Sequence, residues 1–476
     1  MAGPAGRGLP PVPARALTAV AAASTAARLP PVDAAALLRL AAPIVLAQLA
    51  VLGLSLADTI MAGRLSARDL AAVGVGSAIY VTVYIVGLGV LTALTPIAGH
   101  HYGAGRTHEI GTDLGQTLWL AALLSALGVP VLLAGGSLLR AAGVPPEVAA
   151  IAERYLWGEA LGLPAWLASR AYVALNSAVS RPRVTLVVQL AALAVKVPLN
   201  WLFIHGAGPL PALGGAGCGL ATGVLGWIVV GLCWAVWRFD PYFRRFHARR
   251  RHGPLWARQR ELLRLGLPSG GSLFSEVTSF SMISILLAPL GADVMAGHQI
   301  VLNLVSVLFM VPLGLGIATS VLVAQSLGAG EPARARAAAW RGWRITVAVA
   351  ALAAASLFLA RRPLIGLFTN DAEVIGVALG LLGLAALFHV FDAMQGVAGF
   401  ILRGYKVALA PMLVYGAALW GIGLAGGYLL AYAAPAPWPF KGAAGFWAAS
   451  GIGLVVAGAS LSALAARVAR RHLMQK

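Results

Sequence analysis

Apolar residues fall in long blocks rather than in alternation. Twelve windows stand out, at roughly 35–61, 71–97, 113–139, 148–178, 184–205, 216–238, 259–288, 296–324, 338–360, 373–402, 407–432 and 443–466. Each holds about 20 or more residues, and at 1.5 Å of rise per residue a helix of that length crosses the hydrocarbon core of a bilayer. Composition supports the pattern, with 59% hydrophobic and only 11% charged residues over 476 positions, outside the range of soluble domains. The pattern predicts an all-α integral membrane protein with twelve transmembrane helices.

An even number of spans puts both termini and the segment near residues 239–258 on one side. With this threading, the loops and arms on that side hold 25 of the 35 Lys and Arg, the opposite loops hold 6, and four (Arg39, Arg154, Arg170 and Lys196) fall in or beside spans. The positive-inside rule then predicts cytoplasmic termini and a cytoplasmic linker. The net charge of +19 therefore reflects orientation and contact with anionic lipid headgroups, and no nucleic-acid partner is expected. Cys218 and Cys233 lie in one span, too far apart along it to bridge, and no Cys/His cluster suggests a zinc or iron site. Residues 1–34, rich in Ala, Pro and Arg, read as a flexible cytoplasmic arm rather than a cleaved signal.

The chain repeats itself. A shift of 225 positions lays Pro43 on Pro268, Leu65 on Leu290, and Gly103-Ala-Gly105 on Gly328-Ala-Gly330; slightly changed offsets lay Glu147-Val148 on Glu373-Val374 and Arg183-Val184 on Lys406-Val407. Two pseudo-symmetric six-helix bundles around a central cleft are predicted, spanning 35–238 and 259–466 and joined by a basic linker at 239–258, with a tail at 467–476. Six spans per half is even, so the halves share one polarity and are related by an axis along the membrane normal. Pro43 and Pro268 are candidate hinges, since proline removes a backbone donor and bends its helix.

Acids within such spans cost roughly 2.5–3.5 kcal/mol each on insertion scales and so point to function. Four stand out inside otherwise apolar stretches: Asp58, Glu159, Glu276 and Asp392. In the seventh window Ser269, Ser272, Glu276 and Ser279 share one helical face, and in the tenth His389, Asp392, Gln395 and Gly399 do the same. Gln299, Asn303, Ser306 and Met310 form a third stripe, so a polar pocket inside the second bundle is expected. The serines also suit hydroxyl bonding to their own helix. The first half is plainer, with Gln48, Ser55 and Asp58 on one side of span 1, Ser77, Tyr80 and Tyr84 on span 2, and Gln189, Lys196 and Asn200 on span 5. Lys196 is expected to pair locally, with Glu159 as its candidate partner, leaving Asp58 as a lone first-lobe acid. Glu276 and Asp392 have no basic partner in their own spans. Two such carboxylates can share a proton, or with hydroxyl and carbonyl oxygens can hold Na⁺.

Several ordered signatures resemble the multidrug and toxic compound extrusion (MATE) family. They are Ala57-Asp58-Thr59-Ile60-Met61-Ala62-Gly63, Pro198-Leu199-Asn200 followed by Gly206 and Gly214-Gly215-Ala216-Gly217, Glu276 in span 7, and Asp392-Ala393-Met394-Gln395 in span 10. The pattern is similar to the NorM-like branch, with Asn200 where the DinF-like branch carries an aspartate. The resemblance implies a cation-coupled antiporter, driven by H⁺ or Na⁺, that exports organic and often cationic drugs or metabolites by alternating access. It implies Glu276, Asp392 and Asp58 as coupling acids, and a multi-pass place in a bacterial inner (plasma) membrane. Phe388 stands where NorM-like chains often have tyrosine, which removes a phenol oxygen from any sodium shell and favours protons. Ser272, Ser279, Asn303, Gln395, His389, Asn200, Gln48 and Tyr80 are the polar candidates for lining the cavity. Beyond the coupling ion no cofactor is expected; membrane lipids and small organic substrates are the expected partners, and a monomer suffices.

Two rivals remain. A flippase for lipid-linked precursors would use Lys196 and Arg170 for a phosphate headgroup, and an intramembrane enzyme would use Glu276 and Asp392 as an acid/base pair. No Gly-rich nucleotide loop is legible.

Overall fold

The computed structural model describes residues 32–247, 253–433 and 440–474. Most of the expected N-terminal arm and residues 248–252 of the basic linker lie outside the described residues. Among the described residues twelve long helices follow one another: α1 (Ala34–Gly63), α2 (Ala67–Gly103), α3 (Thr107–Leu133), α4 (Pro146–Ala178), α5 (Pro182–His205), α6 (Ala216–Phe239), α7 (Trp256–Leu290), α8 (Ala292–Gly328), α9 (Pro332–Leu359), α10 (Ala372–Gly404), α11 (Leu409–Ala433) and α12 (Ala443–Met474). Eleven are long and apolar enough to cross a membrane. The other, α4, carries Glu147, Glu153, Arg154, Glu159 and Arg170 and is buried along most of its length against α2, α3 and α6. Its apolar demand is met by protein rather than lipid.

Local chemistry sets where the helices start. Asp33 Oδ1 accepts the Ala36 N–H at 2.6 Å, Ser66 Oγ accepts that of Asp69 at 3.0 Å, and Asp371 Oδ1 accepts those of Glu373 and Val374, each filling an orphan donor of a first turn. Pro146, Pro182 and Pro332 begin helices, where no N–H is needed. Within α2, the stretch Leu91–Leu94 breaks the regular winding. Pro96 cannot donate to the Thr92 carbonyl and its ring crowds that carbonyl, while Thr92 Oγ1 turns back onto the Gly89 carbonyl at 2.6 Å. In α11, glycines at 416, 421, 423 and 426 accompany a wider π winding over Gly416–Gly426.

The first six helices pack into one lobe and the last six into another, and the repeat persists in the backbone. Gly105 and Gly330 both have positive φ (70° and 75°), as do the non-glycine residues Ser180 and Lys406 (both 59°). Equivalent turns therefore leave equivalent helices.

The lobes meet toward the end that holds both described termini. A Cβ on Gly89 of α2 would sit 2.2 Å from the Gly270 Cα of α7, and one on Gly266 would sit 2.5 Å from the Val90 carbonyl oxygen. Nearer the terminal end, a Cβ on Gly103 would meet the Gln325 carbonyl oxygen of α8 at 1.9 Å, and one on Gly328 the His100 carbonyl oxygen at 2.0 Å. Gln325 Nε2 donates to the Ala178 carbonyl (2.7 Å) and to Ser180 Oγ (2.9 Å), and His100 Nε2 lies 3.0 Å from the Gly404 carbonyl. The start of α7 is tied to α3 by Arg258 on Glu109 and Asp113, and by Gln116 bonded to Gln259 and to the backbone of Gly253 and Leu255. This end is closed.

Bulk at the glycine crossing should hold the lobes apart. Gly89→Leu is expected to raise labelling, by a thiol reagent applied from the terminal side, of a cysteine placed at Thr95; labelling equal to that of the Thr95→Cys parent would count against a seam that needs glycine.

Candidate functional site

In the first lobe the polar side chains of α1, α5 and α6 converge. Lys196 is wholly buried, and its Nζ lies 2.8 Å from Asp58 Oδ1. Asn200 Nδ2 donates to the same oxygen at 2.7 Å, and Thr222 Oγ1 lies 3.4 Å from Asp58 Oδ2. Lys196 also donates to Thr222 Oγ1 and to the Cys218 carbonyl. The expected partner is thus corrected: Lys196 pairs with Asp58, and Asp58 is not a lone acid. Glu159 borders the cluster beside Tyr155 and Thr222, buried, with Oε2 unpartnered. Tyr80 stacks on Tyr84 with centroids 5.6 Å apart. Thr222 was missed, because a single threonine among apolar residues carries no stripe.

In the second lobe, α7 and α10 are bridged by an amide. Gln395 Nε2 reaches Asp392 Oδ1 at 3.2 Å and Glu276 Oε1 at 3.4 Å. Asp392 and Gln395 are buried, and Glu276 is partly so. Among the described residues neither acid has an ion-pair partner. His389, one turn before Asp392, is buried with both ring nitrogens unpartnered, and with Asp392, Phe388 and Trp447 it lines a cavity of about 30 Å³. Gly399 leaves room for the Tyr415 hydroxyl of α11, 3.2 Å from where a Cβ would be, and that hydroxyl donates to the Gln395 carbonyl at 3.4 Å.

Two stripes read differently in three dimensions. The hydroxyls of Ser269, Ser272 and Ser279 donate to their own helix at Leu265, Pro268 and Glu276, so their hydrogens do not serve a cavity. On α8, Gln299, Asn303 and Ser306 are exposed and do not join Glu276 and Asp392 in a closed pocket. It is the opposite face of α8 that is buried, where His298 lies 2.9 Å from Ser284 Oγ and accepts from Trp447 at 3.1 Å.

Between the lobes lies a cavity of about 190 Å³, lined from α1, α2, α4, α7, α8 and α10, with Gln48, Arg170 and Arg403 among its walls. Arg403 was counted by sequence as a charge at a helix end. Continuing the α10 stripe by one step of four from Gly399 reaches it, so the signal was there.

Among the described residues no group of three or more His, Cys, Asp or Glu side chains could hold a metal ion. A sodium ion at Glu276 and Asp392 would have to draw on amide, hydroxyl or carbonyl oxygens as well.

The two-lobed helical bundle has counterparts among known proteins. The MatE family model matches residues 43–202 and again 268–429, two copies that begin 225 residues apart. This chain belongs to the MATE family. It is 41% identical over 436 residues to a probable multidrug resistance protein NorM of Aromatoleum aromaticum, covering 90% of this chain and 93% of that one. To the multidrug resistance protein MdtK of Edwardsiella ictaluri it is 35% identical, covering 87% and 91%. These matches place it in the NorM-like branch. Among solved structures, the eukaryotic MATE transporter AtDTX14 superposes with a TM-score of 0.83 at 22% identity, covering 92% of this chain and 98% of that one, which shows a shared fold. The twelve-helix, two-lobe architecture expected from the repeat is the architecture of the MATE fold.

The Lys196–Asp58 pair gives a stability prediction. Removing one partner of a buried pair leaves an uncompensated charge, a loss of about 3–5 kcal/mol. Lys196→Met should lower the thermal midpoint of the purified protein markedly, and adding Asp58→Asn should recover much of the loss; a double variant as unstable as the single one would argue against the pair.

Proposed function

We propose that this MATE protein exports small organic compounds across the membrane in exchange for an inward-moving cation, H⁺ or Na⁺, by alternating access of its two lobes. The observation that carries the reading is the Glu276–Gln395–Asp392 bridge. It joins two acids on different helices of the second lobe through an amide that bears no charge. Two carboxylates held this way are stabilised by taking up a proton or a cation, and that uptake changes the preferred packing of α7 against α10. The multidrug resistance names of the relatives support export of drugs or metabolites. By the positive-inside rule, the closed, basic end that holds the termini faces the cytoplasm. The inner membrane is the expected location.

The driving force is sufficient. One proton entering through 100 mV supplies about 2.3 kcal/mol from the electrical part alone, equivalent to roughly a fiftyfold gradient of a neutral solute. A flippase reading loses one of its two headgroup ligands, because Lys196 is wholly buried and committed to Asp58 and Thr222.

In everted vesicles with proton and sodium gradients imposed separately, Glu276→Gln and Asp392→Asn are each expected to reduce gradient-driven dye or fluoroquinolone transport at least tenfold, with membrane insertion intact. Wild-type transport rates in both variants would remove the coupling role from this pair. Transport driven by neither gradient would remove the antiport.

A further inference from the structure

The walls of the inter-lobe cavity carry charge of one sign. Arg170 enters from α4 in the first lobe and Arg403 from α10 in the second, and none of its lining residues is Asp or Glu. The remaining polar groups do not offset this. Thr92, Thr95, Ser177 and Ser269 donate their hydroxyl hydrogens to backbone carbonyls, so the donors left to face the space are the guanidiniums, the Gln48 amide and the Ser320 hydroxyl. Among the described residues Arg403 makes no hydrogen bond or ion pair; its Cζ stacks 4.7 Å over the Phe400 ring. Arg170 bonds the Tyr84 hydroxyl through Nε, and its Nη groups make no hydrogen bond among the described residues. Glu276 lies within electrostatic reach of Arg403 and shares an amide with Asp392, but neither acid lines the cavity, whose own walls carry two positive charges and no negative one.

A guanidinium away from water is costly unless an anion meets it, and its planar fork matches a carboxylate, sulfonate or phosphate. Leu88, Leu273, Leu313, Ile317 and Phe400 supply apolar wall around the pair, which suits a ligand with a hydrophobic body. We propose that the cleft of this protein recognises organic compounds that carry an anionic group on an apolar or aromatic body, the anion being held by Arg170 and Arg403. The proposal rests on the reading of the protein as an exporter whose cargo passes between the lobes. It departs from the expectation of mainly cationic cargo.

The test uses purified full-length protein in detergent, with no gradient, and two probes of one scaffold: 1-naphthalenesulfonate and the uncharged 1-naphthalenesulfonamide. Equilibrium dialysis should give at least about tenfold tighter binding of the sulfonate, the size expected of a charge-assisted contact. Arg403→Gln and Arg170→Gln should each erode that discrimination about tenfold, and Arg403→Lys should keep part of it. Equal binding of the two probes by the wild type, or discrimination that survives in both glutamine variants, overturns the proposal. Should a glutamine variant fail to fold, the wild-type comparison and the lysine variant still decide. Discrimination without gradient-driven export would overturn the export reading and leave this one standing. Export without discrimination would do the reverse.

Discussion

Backbone meets backbone where α2 crosses α7 and α8, and the arrangement of the two lobes follows from that contact. Lipid tails are as apolar as leucine, so helices within a bilayer gain little from hiding hydrophobic surface and depend on close packing and polar bonds. The seam supplies both, through Gly89 against Gly270 and Gly103 against Gln325, with the Gln325 and His100 bonds near its end. Any side chain at Gly89 or Gly103 would collide with main chain that cannot move aside. The positions of these glycines, 89–103 in α2, 266–270 in α7 and 328 in α8, set the closure toward the terminal end.

The lobes share a scaffold and differ in how they treat buried charge. In the first, Lys196 neutralises Asp58 directly, and Asn200 and Thr222 occupy remaining bonding sites on the carboxylate. That cluster is nearly complete in itself and holds α1, α5 and α6 together. In the second, Glu276 and Asp392 share only an amide, whose own Oε1 has no partner. A buried carboxylate without an ion-pair partner costs several kcal/mol, which leaves this site less compensated than the Lys196–Asp58 cluster.

What was legible in the sequence follows the same physics. Bilayer thickness dictates long apolar runs, so the spans were evident even for α4, whose five charged residues make it the least lipid-like. The α10 stripe placed His389, Asp392 and Gln395 on one face correctly, because a period of 3.6 fixes which residues of a helix look the same way. That period does not reveal which neighbour they look toward. Asn303 and its companions share a face of α8, yet the face is left open. Lys196 had two acids within reach of a threading argument, and only the packing of α1 beside α5 selects Asp58 over Glu159. The serines of α7 illustrate another ambiguity, since a hydroxyl on a helix can serve its own carbonyls as readily as a cavity.

The two residues with positive φ at the ends of α4 and α10 show how the seam and the repeat support each other. Ser180 and Lys406 both adopt φ of 59°, a conformation that costs a residue with a Cβ of order 1 kcal/mol or more. Glycine would relieve the cost, and neither lobe uses it there. Each side chain instead makes a contact that glycine would lose: Ser180 Oγ accepts the Gln325 amide from the opposite lobe at 2.9 Å, and Lys406 Nζ pairs with Glu261 of α7 at 2.7 Å. Both contacts lie at the closed end. The first exists only while the lobes touch there, so opening that end removes the bond that offsets the strained turn. Closure is favoured by that difference, and any ligand that opens this end must supply at least as much.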